Sequence, residues 1–202
     1  MVDVKSTGLY LTDPVLKAQG ARTDYWKTGH SYIKRRTAEL KALAGFEKSG
    51  HFFFNPPIGH GYDDGIVAGI AVLEMLDRAG GKKLSSLYDG LPKTWGSPTM
   101  SPFCPDDKKY AVVEAVTRDY TALADKGGTL LGQKILSVVT VNGVRVTLED
   151  GTWGLVRASS NKPSLVVVVE SPTSETNMRA MFADIDVRLA QHPSVGEYDQ
   201  KI

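Results

Sequence analysis

Four short apolar runs, at residues 135–141, 144–148, 152–156 and 165–169, are separated by Asn142-Gly143, by Asp150-Gly151 and by a polar loop ending at Pro163. Asn-Gly and Asp-Gly supply the positive φ of two-residue hairpin turns at little steric cost, so the first three runs are antiparallel neighbours. Residues 106–124 have helical spacing, with Val112, Val113 and Val116 on the buried side and Asp106 or Asp107 as the cap. Residues 177–189 close as a second helix. A mostly antiparallel four-stranded sheet flanked by two helices is a small α+β domain.

The first half of the chain has a different rhythm. Short apolar runs at residues 2–6, 23–26, 43–46 and 51–54 alternate with helical patterns at 13–19 and 30–40. Asp13-Pro14 gives one helix its cap and first-turn proline. Lys48-Ser49-Gly50 is the turn between the last two strands. Asp63-Asp64-Gly65 caps an amphipathic helix whose Ile66, Ile70, Leu73 and Leu76 fall on one stripe, ending at Gly80-Gly81, and 84–91 is a further short helix. This is the alternation of a compact α/β layer. The stretch Lys93-Thr94-Trp95-Gly96-Ser97-Pro98, with Pro102 and Pro105 beyond it, breaks the rhythm and reads as an interdomain linker and hinge. The expected fold is thus α/β plus α+β, with domains at residues 1–95 and 96–202. A strand beginning almost at Met1 suggests that an element preceding it is missing.

Composition narrows the function classes. Hydrophobic residues are 42% and charged residues 23%, ordinary for a globular protein, and the net charge of +1 gives no electrostatic case for nucleic acid or a membrane surface. Lys34-Arg35-Arg36 lies within a helical pattern and reads as a solvated face. No apolar run approaches the ~20 residues that span a bilayer, and no signal-peptide pattern is present at the N-terminus. The single cysteine, Cys104, excludes an internal disulfide and fits a reducing compartment, so the expected location is cytoplasmic.

Two segments carry the candidate chemistry. In Arg157-Ala158-Ser159-Ser160-Asn161-Lys162-Pro163, a planar guanidinium matches phosphate oxygens two at a time, and Ser159, Ser160 and Asn161 add neutral donors. The same residues equally suit a polar hairpin whose Arg157 pairs with a nearby carboxylate. In Gly45-Phe46-Glu47-Lys48-Ser49-Gly50-His51, the Glu47 carboxylate can accept from two vicinal sugar hydroxyls, and Ser49 adds a hydroxyl beside it; a generic hairpin turn would look much the same. His30 and His51 can move protons near neutrality or simply cap and pack. His60 stands near Asp63 and Asp64, but an Asp pair before a periodic apolar run is a helix cap before it is a metal site.

Taken in order, Val2-Asp3-Val4-Lys5-Ser6-Thr7, Trp26-Lys27-Thr28-Gly29-His30-Ser31, the Glu47–His51 turn and the Arg157 loop resemble the C-terminal half of the phosphohexomutases, closest to the phosphomannomutase/phosphoglucomutase branch. There the third domain carries a sugar loop Gly-Glu-x-Ser-Gly-His and the fourth a phosphate loop Arg-x-Ser-Asn-Thr-x-Pro. Phe46 stands here where the family usually has Gly, and Ser160-Asn161-Lys162 replaces the commoner Asn-Thr-x. The resemblance implies that Lys5, Glu47 and Ser49 bind the sugar, that His30 and His51 line the catalytic cleft, and that Arg157, Ser159, Ser160 and Asn161 bind phosphate. The family's reaction exchanges phosphate between C1 and C6 of a hexose through a bisphosphate. It uses a phosphoserine in a loop like Thr-Ala-Ser-His-Asn-Pro and a metal on Asp-Gly-Asp-x-Asp-Arg, and neither motif occurs in this sequence. The expectation is therefore a substrate-recognising part of such an enzyme, inactive alone. Its implied partners are a hexose phosphate and the missing N-terminal domains, with Mg²⁺ and a hexose 1,6-bisphosphate activator belonging to the full-length enzyme. The alternative is a stand-alone sugar-phosphate-binding module without turnover.

Overall fold

A computed structural model describes residues 1–202, which divide into two compact units, Met1–Lys93 and Thr94–Ile202.

The first unit runs β1 (Val2–Asp3), α1 (Leu9–Thr12), α2 (Pro14–Ala18), β2 (Tyr25–Trp26), α3 (His30–Glu39), β3 (Ala44–Phe46), β4 (Phe52–Phe54), α4 (Gly65–Arg78) and α5 (Leu84–Tyr88). Its sheet has the order β2-β1-β3-β4; β1 pairs in parallel with both β2 and β3, and β4 returns antiparallel. The crossovers that parallel pairing requires are α1–α2 on the way to β2 and α3 on the way to β3. The strands are shorter than the apolar runs suggest, and a small core of Met1, Ile33 and Phe53, with Trp26 packed against it, lies in this unit. Asp13 caps α2 as expected, accepting from the amides of Val15 and Leu16 at 2.9 Å each.

Two details of α4 go beyond what its sequence shows. The stripe Ile66, Ile70 and Leu73 does not face the core: α4 has no buried residue, and Ile66 is 78% exposed. Nor do Asp63 and Asp64 share the capping of that helix. Asp64 alone accepts from the amides of Ile66 and Val67, at 2.9 and 3.1 Å.

The second unit comprises β5 (Trp95–Gly96), α6 (Lys109–Asp125), β6 (Thr129–Leu130), β7 (Gln133–Val139), β8 (Val144–Leu148), β9 (Trp153–Ala158), β10 (Leu165–Ser171) and α7 (Glu175–Ala190). The sheet has six strands rather than four, in the order β5-β10-β9-β8-β7-β6, and every pairing is antiparallel. The two additional strands are two residues long, below what alternation can reveal. One of them narrows the linker reading: the boundary between the units falls at Lys93/Thr94, inside the expected stretch, and the residues after it already belong to the second sheet. Trp95 and Gly96 pair with Ser171 and Glu170, and the amide of Ser97 donates to the Val169 carbonyl, so Trp95-Gly96-Ser97 is an ordered edge of the second unit.

One core unites alternate residues of three strands (Val144, Val146 and Leu148; Val156; Leu165, Val167 and Val169) with Val116 and Tyr120 of α6 and Met181, Ile185 and Leu189 of α7. Gly154 lets α7 approach, since a Cβ there would stand 2.7 Å from Ile185 and 2.9 Å from Met181. Neither Asp106 nor Asp107 caps α6. Its N-cap is Lys108, and Asp106 instead meets the buried Lys109 ammonium at 2.6 Å, because that charge demands a counter-ion. Cys104 is buried, and that burial pushes its thiol up from the ordinary range. No helix is long and apolar enough to cross a membrane.

Candidate functional site

In the first unit the predicted residues converge because of strand order. The chain leaves central β1 for β2 on one side and later for β3 on the other, so their carboxyl ends form a topological switch point, where open α/β sheets bind ligands. Lys5 follows β1, the segment Lys27-Thr28-Gly29-His30 follows β2, and Glu47 follows β3. His51 immediately precedes β4, which runs back from the same turn.

Asp3 ties these loops together. Fully buried, it accepts from Ser6 Oγ at 2.7 Å, from Thr28 Oγ1 at 3.0 Å and from the Lys48 amide at 3.2 Å, and its carboxylate lies 3.7 Å from Lys5 Nζ. A buried carboxylate is tolerable only with such partners, and these come from all three loops. The sequence reading missed Asp3, although an acid set between Val2 and Val4 in a strand was the available signal.

Glu47 is buried and accepts from the Gly29 amide at 2.7 Å and from Ser49 Oγ at 3.3 Å. Gly29 is the N-cap of α3, whose end carries no side-chain cap of its own, so the Glu47 carboxylate occupies the favourable end of the helix dipole. His30, the first residue of that helix, sets its ring edge-on to Phe53 with centroids 5.1 Å apart. His51 places Nδ1 2.6 Å from Asp63 Oδ2. Asp63 was read from sequence only as part of a cap.

In the second unit the predicted phosphate residues share the hairpin between β9 and β10. Arg157 is buried at the end of β9 and its Nη1 donates to the Ala158 carbonyl at 2.9 Å. Ser159 Oγ donates to Asn161 Oδ1 at 3.3 Å, while Ser160 and Asn161 are exposed at the tip. The loop is fastened from beneath: the Ser159 amide donates to the Ser164 carbonyl, the Cys104 amide to the Pro163 carbonyl, and Lys109 Nζ to the Lys162 carbonyl at 3.1 Å. Lys109 was not singled out in the sequence, where a lysine at a helix start looks like any other. Gly143, at the neighbouring turn with φ +75°, packs against Arg157 itself.

No group of three His, Cys, Asp or Glu side chains converges in the structure.

Comparison with known proteins identifies the family of both units. The family model described as phosphoglucomutase/phosphomannomutase, alpha/beta/alpha domain III, matches residues 2–95, and that for the phosphoglucomutase/phosphomannomutase C-terminal domain matches residues 104–186. A phosphomannomutase/phosphoglucomutase of Pseudomonas aeruginosa is 35% identical over 86% of this chain and 34% of its own length. A phosphoglucomutase of Neisseria gonorrhoeae is 35% identical over 85% of this chain, again 34% of its own length. The solved structure of a phosphoglucomutase/phosphomannomutase family protein from Burkholderia thailandensis superimposes with a TM-score of 0.75 at 29% identity, covering 96% of this chain and 38% of that one. The chain thus spans about a third of the length of the curated relatives it matches. With both units matched and their candidate loops built within them, the chain belongs to the phosphoglucomutase/phosphomannomutase family, of which it carries domain III and the C-terminal domain.

Proposed function

We propose that this chain is the substrate-recognising part of a phosphohexomutase that interconverts hexose 1- and 6-phosphates of glucose or mannose. The observation that carries the reading is the meeting of Lys5, Glu47, Ser49 and the His30 helix at the carboxyl ends of three parallel strands, tied by Asp3. Two of the acceptor positions on the Glu47 carboxylate are taken by Gly29 and Ser49; a carboxylate has about four, which leaves room for vicinal sugar hydroxyls. C2 epimers present the same C3 and C4 hydroxyls, so both sugars suit this loop. Arg157, Ser159, Ser160 and Asn161 hold the phosphate that is not transferred.

Phosphoryl transfer depends on positioning and on charge neutralisation by a metal and cations. The chain supplies positioning residues but carries neither the phosphoserine loop nor the Asp-Gly-Asp-x-Asp-Arg metal loop. Alone it binds without turnover, since affinity for the ground state does not stabilise a transition state. Its protein partner is the N-terminal part of the same enzyme. The length of the relatives supports this, as does the apolar stripe of Ile66, Ile70 and Leu73 left uncovered on α4.

The test has two arms. Titration calorimetry with glucose 6-phosphate should show saturable binding to the chain. A coupled assay converting glucose 1-phosphate to glucose 6-phosphate, with glucose 1,6-bisphosphate and Mg²⁺ added, should stay at background. Absence of binding would overturn the recognition reading, and turnover lost in His51→Ala would overturn the inactivity.

A further inference from the structure

Asp63 and Asp64 are adjacent acids with separate tasks. Asp64 is spent on the α4 amides, while Asp63 turns the other way and meets His51 at 2.6 Å, the distance of a charge-assisted hydrogen bond. The backbone brings the two residues within reach of each other. Asp63 forms an isolated antiparallel bridge with Phe53, so the returning loop lies beside β4, and His51 is the diagonal neighbour two residues from Phe53. Asp63 is the more sheltered partner, its side chain 24% exposed against 48% for His51, which leaves the imidazole the more accessible of the two.

We propose that Asp63 is a positioning residue that makes His51 act through Nε2. The inference rests on the reading of His51 as a member of the sugar-phosphate site. An ionised carboxylate only accepts, so it selects the imidazole tautomer bearing its proton on Nδ1. The lone pair then resides on Nε2, across the ring from Asp63. Without such a partner, nothing in the strand fixes which nitrogen carries the proton or how the ring turns about its bond to the backbone. In the proton step this arrangement allows, a sugar hydroxyl gives its proton to Nε2 while its oxygen keeps the bonding pair for attack on phosphorus. His51 becomes imidazolium, and Asp63 retains the Nδ1–H bond and offsets the new charge without itself taking a proton. The reverse step returns the proton from Nε2 to the departing oxygen. Asp63 touches no reacting atom; it works through His51.

Nitrogen-15 NMR of the histidine side chains in the intact chain, at a pH where His51 is neutral, reads the tautomer directly. In wild type the His51 Nδ1–H form should exceed the Nε2–H form by about tenfold or more, from one charge-assisted bond. Asp63→Asn keeps an oxygen acceptor and should retain the Nδ1–H form; Asp63→Leu removes it and should release the ring to the Nε2–H form. A wild-type ring already protonated on Nε2, or the same tautomer in wild type and Asp63→Leu, overturns the proposal. The wild-type measurement decides even if Asp63→Leu fails to fold. Glucose 6-phosphate added to wild type then tests the underlying reading separately. A shift of the His51 Nε2 resonance supports its place in the site. An unmoved resonance beside the expected tautomer leaves the pairing intact but removes the site, and so overturns the positioning role proposed for Asp63.

Discussion

The carboxylate of Glu47, at the end of one strand, accepts a 2.7 Å hydrogen bond from the amide of Gly29, which opens the helix that carries His30. One side chain thus caps the helix and forms part of the proposed sugar site. Glu47→Ala should destabilise the first unit by about 1–3 kcal/mol, the cost of stripping a partner from a sheltered donor, and should weaken glucose 6-phosphate binding. Glu47→Gln keeps an accepting oxygen and should lose less than half as much stability while still weakening the ligand. Urea unfolding and calorimetry on both variants separate the two roles.

Arg157→Ala removes the only guanidinium from the phosphate loop. Glucose 6-phosphate affinity should fall by roughly 1.5–3 kcal/mol, about 10- to 150-fold, the range for hydrogen bonds to charged groups. Arg157→Lys keeps the charge but loses the fork and should recover only part of the loss. Equal affinity in wild type and Arg157→Ala by titration calorimetry would exclude this loop as the phosphate site.

Gly143 supports that arginine from behind. A Cβ at position 143 would stand 2.7 Å from both Cα and Cβ of Arg157, and φ is +75°. Gly143→Ala combines a left-handed backbone with a clash against β9, so it should cost about 2 kcal/mol or more. It should also displace Arg157 and lower ligand affinity, unlike Gly132→Ala, which has similar φ but open space around it. Thermal unfolding and ligand titration of the pair make the comparison.

Asp150 gives the second unit an acid-sensitive point. Burial alone would raise its carboxyl. Its bonds from the amide and hydroxyl of Thr152 and the hydroxyl of Thr173, at 2.8 Å each, outweigh that and hold it below the usual carboxylate range. A depressed folded-state value means that the unfolded chain binds the proton more tightly. The contribution is therefore complete above the unfolded carboxylate value, ~3.9, and is lost as pH falls through the lower folded one. Urea midpoints measured from pH 6 down to pH 3 should drop less steeply for Asp150→Asn than for wild type.

The sequence by itself determined the elements whose signals are local. Asn142-Gly143 and Asp150-Gly151 dictated hairpins between the apolar runs, and Asp13-Pro14 dictated a helix start, because turn geometry and capping depend on neighbours only a few residues away. The candidate loops were legible too, since Glu47, Ser49, His51 and Arg157 lie in short ordered motifs. Tertiary structure decided the rest. The pairing of Trp95-Gly96 with Glu170 and Ser171 is a contact across about seventy-five residues that a two-residue strand cannot announce. The separate tasks of Asp63 and Asp64 depend on a bridge to Phe53. The ties from Asp3 to Thr28 and Lys48, and from Lys109 to the Lys162 carbonyl, arise because a buried charge must find partners, and only the folded chain brings those partners within reach.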